Sequence, residues 1–298
     1  MLSTKTISVV LALEFGIAGI LSVVALDLVA HDRVERRPGL NVNRWGYRGP
    51  ATFHKTGGER RIAMVGGSVA FGFGLDDQDS LPRRLEMALN GREGHVPTSV
   101  VNLAEVGAGA GSYAQTLEDY AFLRPDVVLV YDGYASTYAE VRGGRRASLV
   151  FRRIGYVPIL TDWLRGNVTG MQRPSSVPID VSLADSPGDE AALTCDGMWS
   201  AYCAAMIATV DWGLTHEKGA IVVTPPFLSR RHEAQQQSLA RLLRQRFGAN
   251  ARFMYVDLGT SVQLADIRQS SDGVHLTAGA TIDLAGRLAR AIDGFPAR

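Results

Sequence analysis

Two short stretches near opposite ends of the folded part of the chain carry residue types suited to acyl-transfer chemistry. The first is Gly66-Gly67-Ser68-Val69-Ala70-Phe71-Gly72. Two glycines let a backbone turn sharply, so a serine directly after them can open a helix with its hydroxyl exposed and its own amide facing a reactant. The second is Asp272-Gly273-Val274-His275. A carboxylate three residues before a histidine on a short loop can reach Nδ1, fixing the tautomer and leaving Nε2 free to take a proton from a serine. Taken singly, each has a plainer reading: an ordinary Gly-Ser turn, and a histidine that caps a helix. Their joint use requires a fold that brings both to one rim.

The elements between them predict such a fold. Five short apolar runs stand out: 61–65, 99–101, 126–131, 220–223 and 253–256. They are β-branched and continuous rather than alternating, the pattern of strands buried on both faces. Helical stripes separate them. Leu81, Leu85, Ala88 and Leu89 form one, Leu117, Tyr120 and Ala121 a second, and Leu284, Ala285, Leu288, Ala291 and Ile292 a third. Strand alternating with helix predicts an α/β domain with a parallel sheet covered on both sides, and ligands on such a sheet sit outside the carboxyl ends of the strands. Ser68 follows the first run and His275 follows the fifth.

Residues 7–26, ISVVLALEFGIAGILSVVAL, contain one charge, Glu14. About 20 apolar residues suffice for a helix to cross a bilayer, so this stretch reads as a membrane anchor, with a cleavable signal peptide ending near Val23-Val24-Ala25 as the rival. Arg33, Arg36 and Arg37 follow the span and only Lys5 precedes it, which by the positive-inside rule would hold the body in the cytoplasm. The expected layout is an anchor or signal at 1–30, a linker and domain entry at 31–60, and a catalytic domain at 61–298. The stretch 140–215 lacks a clear strand and reads as an insertion or cap.

Composition narrows the function further. With 31 Lys+Arg against 30 Asp+Glu the net charge is +1, which argues against a nucleic-acid partner. No phosphate loop, dinucleotide fingerprint or metal-ligand cluster is present in the sequence, so no cofactor is expected. The two cysteines, Cys195 and Cys203, are too far apart for a redox pair; export would favour a disulfide, and a cytosolic location two buried thiols.

Taken together, these motifs resemble the SGNH/GDSL-type hydrolases in their membrane-anchored bacterial branch. The resemblance runs from Asn43-Arg44-Trp45-Gly46-Tyr47-Arg48-Gly49 through Gly66-Gly67-Ser68, Asn102-Leu103, Gly107-Ala108-Gly109 and Pro125-Asp126-Val127-Val128 to Asp272-Gly273-Val274-His275-Leu276. It implies a flavodoxin-like three-layer sandwich with a five-stranded parallel sheet, and Ser68, His275 and Asp272 as nucleophile, base and orienter. It also implies an oxyanion hole from the amides of Ser68 and a glycine, best matched by Gly109 with Gly107 and Gly111 as alternatives. The family's third donor is an asparagine in Gly-x-Asn-Asp. This chain reads Gly133-Tyr134-Ala135-Ser136, so Ala135 replaces it with a methyl group. Losing one such donor typically costs about 10² to 10³ in turnover.

The resemblance therefore implies a serine esterase or deacetylase acting on a small-molecule or carbohydrate ester. An O-acyltransferase using the same triad and a weakly catalytic carbohydrate-binding or assembly protein are the alternatives. It also favours an exported, periplasmic or extracellular catalytic domain over the cytoplasmic side. Arg142, Arg145, Arg146, Arg152 and Arg153, followed by the apolar string 154–164, read either as a solvated face or as an amphipathic segment on anionic lipid.

Overall fold

A computed structural model of the chain describes residues 4–52, 55–91, 94, 96–132, 146, 148–165, 195, 197 and 199–296. Five strands form one sheet: β1 (Arg60–Gly66), β2 (Thr98–Asn102), β3 (Val127–Tyr131), β4 (Gly219–Thr224) and β5 (Phe253–Asp257). Their order is β2-β1-β3-β4-β5 and every pairing is parallel. This is the flavodoxin-like order, and it agrees with the fold class expected from sequence. Every residue of β3 and β4 is buried, which explains why their sequences show no alternation.

The helices are α1 (Thr4–Glu35), α2 (Ser68–Phe71), α3 (Leu81–Asn90), α4 (Tyr113–Asp119), α5 (Leu149–Ile154) and α6 (Leu160–Leu164), then α7 (Ser200–Thr215), α8 (Arg230–Phe247) and α9 (Ala278–Ala291). Helices α3 and α9 pack on each other over one side of the sheet, while α4 and α7 meet over β1, β3 and β4. The chain steps from β1 outward to β2, then back past β1 to β3 and on to β4 and β5. Right-handed crossovers on that path send α3 to one face and α4, α7 and α8 to the other. The reversal beside β1 opens a crevice at the carboxyl ends of the strands.

Two parts of the expected layout differ in detail. The interval 140–215 holds α5, α6 and α7, and α7 is a crossover helix built into the layer between β3 and β4 rather than a cap. The interval 31–60 is not a free linker. Leu40, Val42, Asn43, Tyr47 and Arg48 are all buried in the body.

Helix α1 changes surroundings along its length. Every described side chain from Leu11 to Leu26 is exposed, whereas Asp27, Ala30, His31 and Val34 are buried against the domain. From Leu11 to Glu35 it is long and apolar enough to cross a membrane. The buried carboxylate of Asp27 accepts from the amides of Ile159 at 2.8 Å and Leu160 at 2.5 Å, and from the Tyr156 hydroxyl. His31 Nε2 bonds the Val157 carbonyl at 2.8 Å.

Candidate active site

Strand β1 delivers the chain to Gly66, where no larger residue fits. A Cβ there would lie 2.2 Å from the Tyr131 carbonyl oxygen of β3 and 2.6 Å from the Ala70 side chain. The backbone turns at Gly67 and enters the single turn of α2 at Ser68. Gly72 ends that turn in the left-handed region at φ 82°, its amide donating to the carbonyls of Ser68 and Val69. The Phe73 amide adds a third bond, to the Ser68 carbonyl, at 2.9 Å. The serine is thus held by its backbone and left half-buried.

The loop before α9 brings the histidine across. Asp272 Oδ1 accepts from the amides of Val274 at 3.0 Å and His275 at 2.7 Å, which folds the loop back on itself around Gly273, at φ 81°. The other carboxylate oxygen, Oδ2, lies 2.6 Å from His275 Nδ1. His275 Nε2 then stands 2.9 Å from Ser68 Oγ. A carboxylate is only an acceptor, so Nδ1 carries the proton and Nε2 presents its lone pair to the hydroxyl. Ser270 Oγ donates to the His275 carbonyl at 2.8 Å, and Thr277 caps the start of α9 through the Ala280 amide, closing the loop on both sides.

Burial works to raise the Asp272 pKa, but its bonds to the His275 ring and to the His275 and Val274 amides outweigh that and hold it below the usual carboxylate value. The carboxyl stays ionised where a neighbouring imidazolium would need it.

Possible oxyanion donors sit on the turn itself and on the loop after β2. The Glu105 amide bonds the Gly66 carbonyl at 3.1 Å, which ties that loop to the end of β1. The Ala108 carbonyl would lie 3.3 Å from a Cβ on Gly67, so the 107–109 segment stands in contact with the serine turn. Gly109 is buried and accepts from the amide and hydroxyl of Ser112. Neither the Ser68 nor the Gly109 amide donates a hydrogen bond to any described residue. Gly107 is exposed with φ 79°. Ala135 lies outside the described residues, together with Gly133, Tyr134 and Ser136.

Phe73 and Asp132 at this rim carry no obvious sequence signal, and Arg48 belongs to the 43–49 motif without a role assigned to it there. Phe73 lays its ring against that of His275, with centroids 4.9 Å apart. Arg48, 2% exposed, donates to the carbonyls of Phe71 and Gly72 at 2.7 Å each and to that of Leu75 at 2.5 Å. Asp132, buried at the end of β3, places Oδ1 where it would lie 3.6 Å from a Cβ on Gly67. Asn102 braces the same region: Nδ2 donates to the Phe71 carbonyl at 3.2 Å and Oδ1 accepts from the Ala104 amide at 3.2 Å.

Farther along the same edge, the ends of β4 and β5 border a cavity of about 190 Å³. Thr224, Gln237, Arg241, Arg244, Tyr255 and Asp257 are among the residues that line it. No group of three or more His, Cys, Asp or Glu residues able to hold a metal gathers among the described residues.

Of the five arginines grouped in the sequence, Arg146 is buried, pairing with Asp119 at 2.9 Å and with Glu105. Arg152 and Arg153 are exposed, while Arg142 and Arg145 lie outside the described residues. Cys195 and Cys203 are joined in a disulfide.

These observations define a class of architecture: a parallel α/β domain with a serine, a histidine and a carboxylate in hydrogen-bonded series at the rim of its sheet. No protein-family model matches the chain, and no curated protein matches it. Among solved structures the chain is similar to a catalytic mutant of Axe2, an acetylxylan esterase from Geobacillus stearothermophilus. That match has 15% identity, covers 80% of this chain and 95% of that one, and has a TM-score of 0.48. It is also similar to the psychrotrophic esterase EstA from Pseudoalteromonas sp., at 14% identity over 78% of this chain and 97% of that one, with a TM-score of 0.46. A member of the lipolytic protein G-D-S-L family from Veillonella parvula DSM 2008 matches at 10% identity over 79% and 98%, with a TM-score of 0.45. At these identities the likeness concerns the fold alone.

Proposed function

We propose that the protein is a serine-dependent ester hydrolase that works through an acyl-enzyme on an acylated small molecule or carbohydrate. The observation that carries this reading is the unbroken series Asp272 Oδ2–His275 Nδ1 at 2.6 Å and His275 Nε2–Ser68 Oγ at 2.9 Å. Ser68 Oγ attacks the ester carbonyl as its proton passes to His275 Nε2, and Asp272 stabilises the imidazolium that forms. The carbonyl oxygen becomes an oxyanion directed at the amides of Ser68 and Gly109. Collapse expels the alcohol, which leaves with the proton from His275. Water, deprotonated by the same ring, then releases the acid and restores the serine.

The glutamines, arginines and Asp257 that line the cavity at the ends of β4 and β5, beside Phe227 and Ala240, favour a hydroxyl-rich leaving group. Adjacent strands lie about 4.8 Å apart, so the end of β4 stands roughly 10 Å along the edge from the end of β1, within the span of an oligosaccharide.

The same reading assigns α1 as an uncleaved membrane anchor with the catalytic domain in an oxidising compartment. Val23-Val24-Ala25 lies inside a helix that continues without a break into the turns where Asp27, Ala30, His31 and Val34 are buried. The Cys195–Cys203 disulfide favours the exported side over the cytoplasmic side that Arg33, Arg36 and Arg37 would select on their own.

The test is covalent labelling by a fluorophosphonate together with hydrolysis of a short acyl ester, comparing the wild-type chain with Ser68→Ala. Labelling and turnover present in the first and lost in the second support the reading. Equal rates in both, or an unlabelled wild type, end it in favour of a binding role.

A further inference from the structure

Asp27 marks the residue at which α1 changes surroundings, and it does so in the grip of one particular segment. Its carboxylate takes the amides of Ile159 and Leu160 and the hydroxyl of Tyr156, and His31, one turn on, takes the Val157 carbonyl. Residues 156–160 therefore stand at the level of the last apolar turn of α1, since a helix rises only about 1.5 Å per residue. If α1 spans the bilayer, this segment lies where the chain leaves it.

The two short helices flanking that segment are unusually apolar on their open sides. Leu149 is 77% exposed, Ile154 64% and Leu164 69%, with Val150 beside them. Single exposed apolar residues are ordinary, but here three large ones fall on two helices of only six and five residues. Cations accompany them. Arg152, Arg153 and Arg165 are exposed on the same elements, as are Arg36 and Arg37 just beyond the anchor, and Arg33 stacks over the Trp163 ring at 5.3 Å. Long apolar side chains, arginines and an aromatic at the mouth of a membrane span are the composition of an interfacial element.

We propose that the face formed by α5, the 155–159 turn and α6 lies in the headgroup layer of the leaflet from which α1 emerges. Leu149, Ile154 and Leu164 reach the acyl boundary, and Arg152, Arg153 and Arg165 contact anionic headgroups. The body is then seated on the membrane at a second surface besides its anchor. This inference rests on α1 being an uncleaved span.

The full-length chain, reconstituted in nanodiscs containing anionic lipid, tests it with spin labels at single introduced cysteines. The native cysteines are already paired and stay unlabelled. Labels at Ile17→Cys in the anchor, Ile154→Cys, Leu164→Cys and the remote, exposed Met87→Cys report relative access to oxygen and to a water-soluble nickel chelate. The expected result is oxygen preference at Ile17, Ile154 and Leu164, nickel preference at Met87, and loss of the oxygen preference at Ile154 when Arg152→Glu and Arg153→Glu are added. Oxygen preference at Ile17 with nickel preference at both Ile154 and Leu164 overturns the inference and leaves the anchor intact. Nickel preference at Ile17 overturns the anchor and the inference with it.

Discussion

The ring of Phe73 packs against the ring of His275, with centroids 4.9 Å apart and planes tilted by 46°. One comes from the turn that carries Ser68 and the other from the loop that carries its hydrogen-bond partner His275, so the contact joins the two halves of the candidate site. Arg48 holds the first half still, spanning the carbonyls of Phe71, Gly72 and Leu75 on either side of Phe73. Arg48→Lys keeps the charge but loses the fork that reaches three carbonyls at once. We expect it, like Phe73→Ala, to lower kcat by about 10- to 10²-fold with little change in KM, because small displacements of reacting groups carry costs of that order. Steady-state kinetics on a short ester checks this, and a shift confined to KM would contradict it.

Asp272 gives a pH-dependent signature. Its folded pKa lies below the ordinary carboxylate value, held there against burial by the His275 ring and two amides. A depressed carboxyl contributes stability above its unfolded pKa, about 3.9, and loses that contribution as pH falls through the folded value. The difference in Tm between wild type and Asp272→Asn should therefore close as pH falls below about 4. Calorimetry on either side of that pH measures it. At neutral pH the same variant should lose about 10⁴ in kcat through the wrong histidine tautomer.

The family resemblance seen in the sequence implies that Ala135 takes the place of an asparagine. If a third oxyanion donor is what this position lacks, Ala135→Asn should raise turnover by up to about 10², the lower end of what losing such a donor costs elsewhere. The comparison is kcat on one ester for wild type and variant. An unchanged or reduced rate would mean that the two backbone amides act without a side-chain partner here.

The disulfide closes a loop with a sequence separation of eight. Chain-entropy arguments assign such a loop about 2.5 kcal/mol. Urea melts of the full chain with and without reductant should differ by that order, and thiol titration of the denatured, unreduced protein should find no free thiol.

The sheet was legible because β3 and β4 are buried along their whole length, and burial on both faces selects continuous β-branched runs. That Ser68, Asp272 and His275 come together was legible because Gly-Gly-Ser and Asp-x-x-His are short local patterns. Helix α7 was not recognised as a layer element because SAYCAAMIATVDWGLT is apolar nearly all round and shows no stripe to set a period. Arg48 and Phe73 were missed because their work lies in contacts with residues 23 to 27 and about 200 positions away, and an arginine in a Gly-rich stretch gives no sign that it is buried. The Asp27–Tyr156 contact spans 129 positions and was invisible for the same reason.

The burial of Asp27, His31 and Val34 on α1, and of Leu40, Val42, Asn43, Tyr47 and Arg48 after it, has a mechanical consequence. A catalytic head on a floppy tether would sweep a hemisphere and sample whatever drifts by. If α1 is the anchor proposed above, the shaft enters the head without a joint, and Ser68 keeps one height and one bearing above its floor. Ester groups at other distances would have to be carried to it.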